Sequence, residues 1–445
     1  MVATGTVSSI GSTVPAGAPS AAAIGGRAWF MLVTLTFVYV LNFLDRQLIG
    51  ILAKPIQDAL HVSDGQLGLI GGLYFAMFYC FIAIPIGWLA DRTNRVTVLS
   101  LACAIWSGAT VACGMAASYP QLVAARMVVG FGEAGGVPPS YAIITDTFPP
   151  GKRAAALGVY NLGPAMGAAI GVAFGAAIAE RFGWRMPFVI IGIIGIVTAI
   201  LVRLVLREPE RGATDLVRAS DASEKAAFWP TLRMFFTHPV LMLAALGSGA
   251  TQFVTYGLGN FAVLFLMRDK GMTLADVGIW YALVLALGMG GGMVVSGRVI
   301  DRMTRSSRAG YAIAPAASLA VAMPFYLGFI WAPSWPLALM LLAVVMVFNY
   351  FYLSASVALV QDEVKPNQRV LSGALLLLVM NFIGLGLGPT WVGQASDWFK
   401  AHGHVRYLQS ALYTLTPFYV VAILLFLWLA RILRRESRTA AGISA

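Results

Sequence analysis

The chain holds 445 residues, of which 59% are hydrophobic and 11% charged, with a formal net charge of +11 and a mean hydropathy of +0.80. Soluble domains carry about 25% charged residues, so a soluble enzyme, a disordered chain and a secreted disulfide scaffold are excluded, and a polytopic helical membrane protein remains. The positive balance alone would also fit a nucleic-acid binder, so the placement of the charges decides.

Residues 1–26 are small, uncharged and without the basic n-region of a signal peptide, which predicts a disordered tail. A helix needs about 20 apolar residues to cross the hydrocarbon core. Twelve such runs follow: 28–53, 66–90, 96–117, 121–145, 154–179, 186–206, 239–267, 275–299, 310–332, 335–360, 370–394 and 410–433. The polar stretch 207–238 divides them six and six. The expected organisation is a first bundle over 27–206, a linker over 207–238, a second bundle over 239–434 and a tail over 435–445. Cys80, Cys103 and Cys113 all lie in apolar runs with no C-x-x-C pair, so buried thiols are expected rather than a disulfide or metal site.

Lys and Arg report orientation. With the N-terminus placed inside, 21 of the 30 fall in cytoplasmic segments, 7 on the far side, and Arg46 and Arg126 inside spans. This bias predicts an inner-membrane protein with both termini cytoplasmic. It also assigns the basic charge to anionic headgroups, with no nucleic acid involved.

Residues 61–92 and 271–302 align at a constant offset of 210, pairing Ser63 with Thr273, Gly68 with Gly278, Gly87 with Gly297, Asp91 with Asp301 and Arg92 with Arg302. Ser63 with Gln66 forms a capping box, and Thr273 with Asp276 a looser one. Parallel repeats of six spans place a substrate site near the midplane where the halves meet.

Gly87-Trp88-Leu89-Ala90-Asp91-Arg92-Thr93-Asn94-Arg95 resembles the loop-2/3 signature of the major facilitator superfamily, and Gly297 to Arg302 its weaker second copy. Arg126-x-x-x-Gly130-x-Gly132-Glu133 resembles that superfamily's span-4 motif, and Gly163-Pro164-x-x-Gly167 its span-5 motif. Leu41-Asn42-Phe43-Leu44-Asp45-Arg46, with Arg126 and Glu133, is similar to the spinster-type branch. The resemblance spans roughly residues 28–433. It implies an all-α membrane fold of twelve helices in two six-helix bundles, alternating access, and proton-linked transport of sphingosine phosphate or lysophospholipids. Organic-anion and drug transporters share similar spacing and form the alternative reading.

Charged side chains inside a span cost a few kcal/mol on insertion scales, which makes them functional suspects. Four lie deep: Asp45, Arg46, Arg126 and Glu133. At about 1.5 Å per residue, Asp45 sits roughly 26 Å from the cytoplasmic end of span 1, and Arg126 and Glu133 about 8 and 18 Å from the outer end of span 4. Asp45 and Arg46 therefore fall between the other two in depth, and a network between spans 1 and 4 is predicted. Burial favours a neutral carboxyl and a nearby guanidinium a charged one. Asp45 and Glu133 are the expected proton-coupling pair. Arg46 and Arg126 would switch partners or hold an anionic head, which the planar guanidinium suits. The bland alternative is a permanent ion cluster that only fixes packing.

Spans 7 to 12 contain no deep charge. Their polar groups include Gln252, Tyr256, Asn349, Tyr352 and Asn381, and with Asn42 of span 1 these are the candidate substrate contacts. One charged wall facing an aromatic and neutral wall suits a small amphiphile. Gating is assigned to Asp91, Arg92, Arg95, Asp301 and Arg302. By resemblance, Asp91 belongs to a charge latch. Gly163, Gly167 and Gly171 form a small-residue stripe for close helix approach, and Pro164 a point of bending.

No phosphate-loop, His-Glu-x-x-His or Gly-x-Ser-x-Gly pattern occurs, and the four histidines fall outside the spans. The reading is a monomeric secondary transporter without metal or cofactor, its partners being the substrate, protons and the bilayer. An intramembrane enzyme and a passive scramblase or channel are the rivals.

Overall fold

The computed structural model describes residues 25–211, 228–365 and 368–440. Among the described residues every regular element is a helix. Eleven helices among the described residues are long and apolar enough to cross a membrane. Span 4 is divided into Tyr119–Glu133 and Val137–Thr147 by a turn at Ala134–Gly136, so neither half alone reaches that length. Large apolar side chains such as Leu204, Met340 and Ile279 are exposed on the outside, as a lipid solvent requires.

Local chemistry sets the helix starts. Ser63 accepts from the Gln66 amide while Gln66 reaches back to the Ser63 amide. Thr273 accepts from the Asp276 amide, and Asn94 caps span 3 through the Thr97 amide. Pro138, Pro164 and Pro389 each stand in the first turn of a helix, where a missing N–H costs little.

The repeat is visible in where helices break. Span 2 is interrupted at Gly72, between Asp64–Gly71 and Leu73–Arg92. Span 8 carries a π-helical turn over Val277–Tyr281, ending one residue before Ala282, the position that matches Gly72 at the 210-residue offset. Span 4 breaks at Ala134–Gly136 and span 10 at Tyr350. Span 5 resets at Asn161–Leu162, and span 11 passes through a π-helical stretch, Phe382–Leu387.

Three boundaries differ from the sequence reading. Helix Phe228–Thr237 occupies the end of the expected linker. Span 8 continues past Asp301 to Ser306, so that residue does not end its span. Span 12 runs on as Thr416–Ala440, through the start of the expected tail. The last two helices continue past their apolar runs through charged residues, whereas Phe228–Thr237 is itself mostly apolar, with Arg233 its one charge. Helix Gly26–Ile51 starts at the edge of the expected tail, whose residues 1–24 lie outside those described, as do linker residues 212–227.

The glycine stripe of span 5 packs on span 1. A Cβ on Gly163 would lie 3.0 Å from the Tyr39 side chain, and one on Gly171 2.9 Å from the Leu44 Cα and carbonyl oxygen. The helix interruption lies one turn before, at Asn161–Leu162, so Pro164 starts a new helix rather than kinking a continuous one. Backbone cannot yield as a flexible side chain does. Gly171→Ala is therefore expected to destabilise the protein by roughly 1–3 kcal/mol, whereas Gly158→Ala, which faces open space, is expected to show no loss. Thermal melts in one detergent compare the two.

The two halves meet unevenly. Toward the end poor in Lys and Arg, the Gly65 amide donates to Asp397 (3.0 Å) and the Leu73 amide to Thr390 (3.2 Å). A Cβ on Gly72 would lie 2.7 Å from the Gly386 carbonyl oxygen, and one on Gly278 3.0 Å from the Ala176 side chain. Toward the basic end Gly87, Gly158 and Gly297 have nothing within 4 Å of an added Cβ. There Trp88 and Leu89 are exposed. Among the described residues the halves are joined at one end and apart at the other.

Candidate functional site

Spans 1 and 4 bring the four deep charges together. Arg46 donates from Nε to Glu133 Oε2 at 2.6 Å, and Arg126 Nη1 lies 3.5 Å from Asp45 Oδ2. Asp45 and Glu133 are each 1% exposed and Arg126 2%. The two ion pairs are unequal. The first is a charge-assisted hydrogen bond, whereas Arg126 Nε and Nη1 make none. Asp45 Oδ1 and Glu133 Oε1 also lack a hydrogen-bond partner.

The span-4 motif explains how the cluster is assembled. A Cβ on Gly130 would lie 2.6 Å from the Phe75 carbonyl oxygen of span 2, and one on Gly132 2.6 Å from the Trp106 amide nitrogen of span 3. These two glycines let the helix seat between spans 2 and 3. Arg126 and Glu133, seven residues apart, then share the face toward span 1. Aromatic rings surround the guanidiniums. Arg46 sits 4.4 Å over Tyr79, 4.9 Å over Phe43 and 5.2 Å over Phe75, and Arg126 5.2 Å over Phe75. Such stacking supports a partly desolvated cation.

A cavity of about 760 Å³, counted with its open mouth, lies between the halves. Arg46, Arg126, Phe43, Gln47 and Phe75 line it from the first half. Thr255, Tyr256, Asn260, Tyr281, Leu285, Met289, Met346, Tyr350 and Leu385 line it from the second. The wall thus shows guanidiniums on one side and aromatic and apolar groups on the other. The carboxylates are not on the wall; they sit behind the arginines.

Of the six expected substrate contacts, Tyr256 lines the cavity. Asn42, Gln252, Asn349 and Tyr352 are buried off its wall, and Asn381 is half-buried in span 11. Asn349 accepts from the Tyr419 hydroxyl at 3.2 Å, a bond between spans 10 and 12. Gln252 Oε1 and Asn42 Oδ1 have no hydrogen-bond partner among the described residues. Gln47 and Tyr281 were not among the expected contacts; a polar or aromatic residue in an apolar run carries no mark of which face it takes.

The gating residues do not form one cluster. Arg95 bridges Asp146 and Glu208 at 2.6 Å each, inside the first half. Arg92 lies over Trp88 at 4.0 Å. Asp301 and Arg302 are exposed, and Asp301 makes no ion pair among the described residues. Asp91 lies in the last turn of its helix, and its side chain falls outside the described residues.

A further charged group lies at the sealed end. Asp64, 3% exposed, accepts from Arg268 Nη1 and Nη2 at 2.9 Å each, from Ser396 at 2.6 Å and from Gln57 at 2.6 Å. It ties spans 2, 7 and 11 across the halves. Cys80, Cys103 and Cys113 are buried free thiols. Among the described residues no group of three or more His, Cys, Asp or Glu is placed to hold a metal ion.

The Major Facilitator Superfamily profile matches residues 35–389. An MFS-type efflux pump of Mycolicibacterium smegmatis is 32% identical over 375 residues, covering 83% of this chain and 85% of that protein. Human protein spinster homolog 1 is 27% identical over 248 residues, 55% of this chain and 47% of that protein, so the match spans about half its length. Among solved structures, a bacterial homologue of the human lysosomal transporter spinster, inward-facing and unoccupied, superposes with a TM-score of 0.85 at 31% identity, covering 92% of this chain and 98% of that one. The paired six-helix halves, the span-4 cluster and these matches agree: the chain belongs to the major facilitator superfamily and is a spinster-like multi-pass membrane transporter.

Proposed function

We propose that the protein is a proton-coupled secondary transporter of a small amphiphile with an anionic head, of the lysophospholipid or sphingosine-phosphate type. In this reading the protein sits in the inner membrane with its basic end and both termini cytoplasmic, and the form described is the inward-facing state of a monomer. The two six-helix halves rock about the cavity. The observation that carries the reading is the cavity wall: Arg46 and Arg126 face the space while their carboxylate partners stand behind them. An anionic head reaching the guanidiniums competes with Glu133 and Asp45, and a carboxylate that loses its arginine gains a proton in the low dielectric. The aromatic wall accepts the apolar part.

The second reading, a proton-linked exporter or symporter of organic anions or drugs, is favoured by the similarity to an efflux pump over 83% of the chain.

Proteoliposomes holding the full chain under an imposed pH gradient test both. Wild type is expected to accumulate a lysophospholipid above its equilibrium level. Asp45→Asn and Glu133→Gln are expected to lose the gradient-driven component, because an amide cannot take up and release the coupled proton. Accumulation of a hydrophilic carboxylate or a dye in preference to the lysolipid supports the second reading. Flow that only equilibrates the two sides indicates a passive scramblase or channel. Unchanged pH dependence in both variants removes the coupling role.

A further inference from the structure

Asp45 has a partner that its sequence context does not announce. Thr110 of span 3 is 1% exposed, and its hydroxyl oxygen lies 3.0 Å from Asp45 Oδ2 and 2.8 Å from the Trp106 carbonyl oxygen. A threonine hydroxyl has one proton and two lone pairs, and a backbone carbonyl only accepts. An ionised carboxylate only accepts as well. With Asp45 charged, two acceptors therefore compete for one proton, and one of the two contacts goes unmade. With a proton on Oδ2, Asp45 donates to Thr110 and Thr110 donates to Trp106, so both contacts are made.

We propose that Thr110 is a positioning residue that holds the Asp45 carboxyl through both halves of its proton cycle by turning one O–H between two fixed acceptors. When Asp45 takes up a proton, its own O–H bonds to Thr110 Oγ1 and the threonine proton turns to Trp106. When Asp45 releases it, the threonine proton turns back to Oδ2. No heavy atom has to move. The exchange is balanced: one proton enters or leaves on Asp45, and the threonine keeps its own. Because the Trp106 carbonyl also belongs to the helix ladder of span 3, losing the threonine bond leaves it satisfied.

The other charged or titratable groups facing Asp45 are Arg46 on its own helix, Cys113 on span 3, and Arg126 and Glu133 on span 4. The guanidiniums cannot accept from a protonated carboxyl. Arg126 is 3.5 Å away and unbonded there, and Arg46 is committed to Glu133. A thiol is a weak acceptor. Glu133 is the competing site: its Oε1 and Asp45 Oδ1 both lack partners, so a proton shared between the two acids would leave Thr110 idle.

This inference rests on the reading of Asp45 as a proton carrier, and the experiment separates the two. Infrared difference spectra between acid and neutral pH are recorded on the reconstituted full chain without substrate. Wild type is expected to show a protonated-carboxyl C=O band that Asp45→Asn removes. Thr110→Val, nearly isosteric and without a hydroxyl, is expected to move that band to higher frequency, and Thr110→Ser to leave it in place. Thr110→Ala gives the same shift if the valine variant does not reconstitute. A band that ignores Thr110→Val but moves in Glu133→Gln places the proton between the two acids and overturns the proposal. A wild-type spectrum with no band sensitive to Asp45→Asn defeats the proton-carrier reading itself.

Discussion

Glu133→Ala is expected to destabilise the protein, by less than the about 3–5 kcal/mol that breaking a fully buried pair costs, because it leaves the Arg46 guanidinium, which borders the cavity, without its counter-charge. Arg46 keeps its three aromatic neighbours, but none of them supplies a negative charge. Melting of the detergent-purified protein checks this. Glu133→Gln, which retains an acceptor at the same reach, should lose less. The companion double variant Arg46→Met with Glu133→Leu removes both charges and fills similar volume. Buried pairs replaced in this way are often neutral or better for stability. Its stability should recover most of the deficit while gradient-driven transport does not return. Recovery of both would show that the pair serves packing alone. A single alanine variant as stable as wild type would show that Arg46 finds another partner.

The second large effect is expected at the sealed end. Asp64 accepts two bonds from Arg268 and one each from Ser396 and Gln57 across spans 2, 7 and 11. Hydrogen bonds to a charged group contribute about 1.5–3 kcal/mol each. Arg268→Met, which deletes two of them, should therefore shift the balance between sealed and unsealed forms by roughly 100-fold or more, at 1.4 kcal/mol per decade. Asp64 left alone in the seam adds to the shift. Nitroxide labels at the exposed positions His61 and Lys400, on either side of the seam, report it. The distance distribution should move from one short population to a longer one. An unchanged distribution in Arg268→Met would mean that the glycine contacts alone hold the seam.

The deep charges were legible because depth is arithmetic. A fixed rise per residue puts Asp45 and Arg46 between Arg126 and Glu133, and the structure joins each acid to the basic residue of the other helix. The fold was legible for the same reason: apolar runs of spanning length, a basic bias and a 210-residue repeat need no tertiary knowledge. Thr110 was not. A threonine in a helix commonly bonds the carbonyl four residues back, and Thr110 does so; only the neighbouring helix reveals its second contact. Asp64 was hidden differently. It follows Ser63 inside a capping box, where an acidic first turn reads as a helix start, so its pairing with a residue 204 positions later has no local trace. The candidate substrate wall was the least readable. Burial sides of Gln252, Asn349 and Tyr352 depend on helix rotation, and uniformly apolar spans give no periodicity to fix it.

The sealed end closes by backbone against backbone, with hydrogen atoms of glycine as the mating surface. Gly68 faces the Pro389 carbonyl, Gly72 the Gly386 carbonyl, and Gly393 the Asp64 carbonyl. Surfaces so bare leave no pocket for a methyl group, so one added carbon at Gly68 or Gly393 acts as a wedge. Such variants supply a way to prop the opposite entrance ajar without touching a single charge, and so to purify the conformer that this structure does not display.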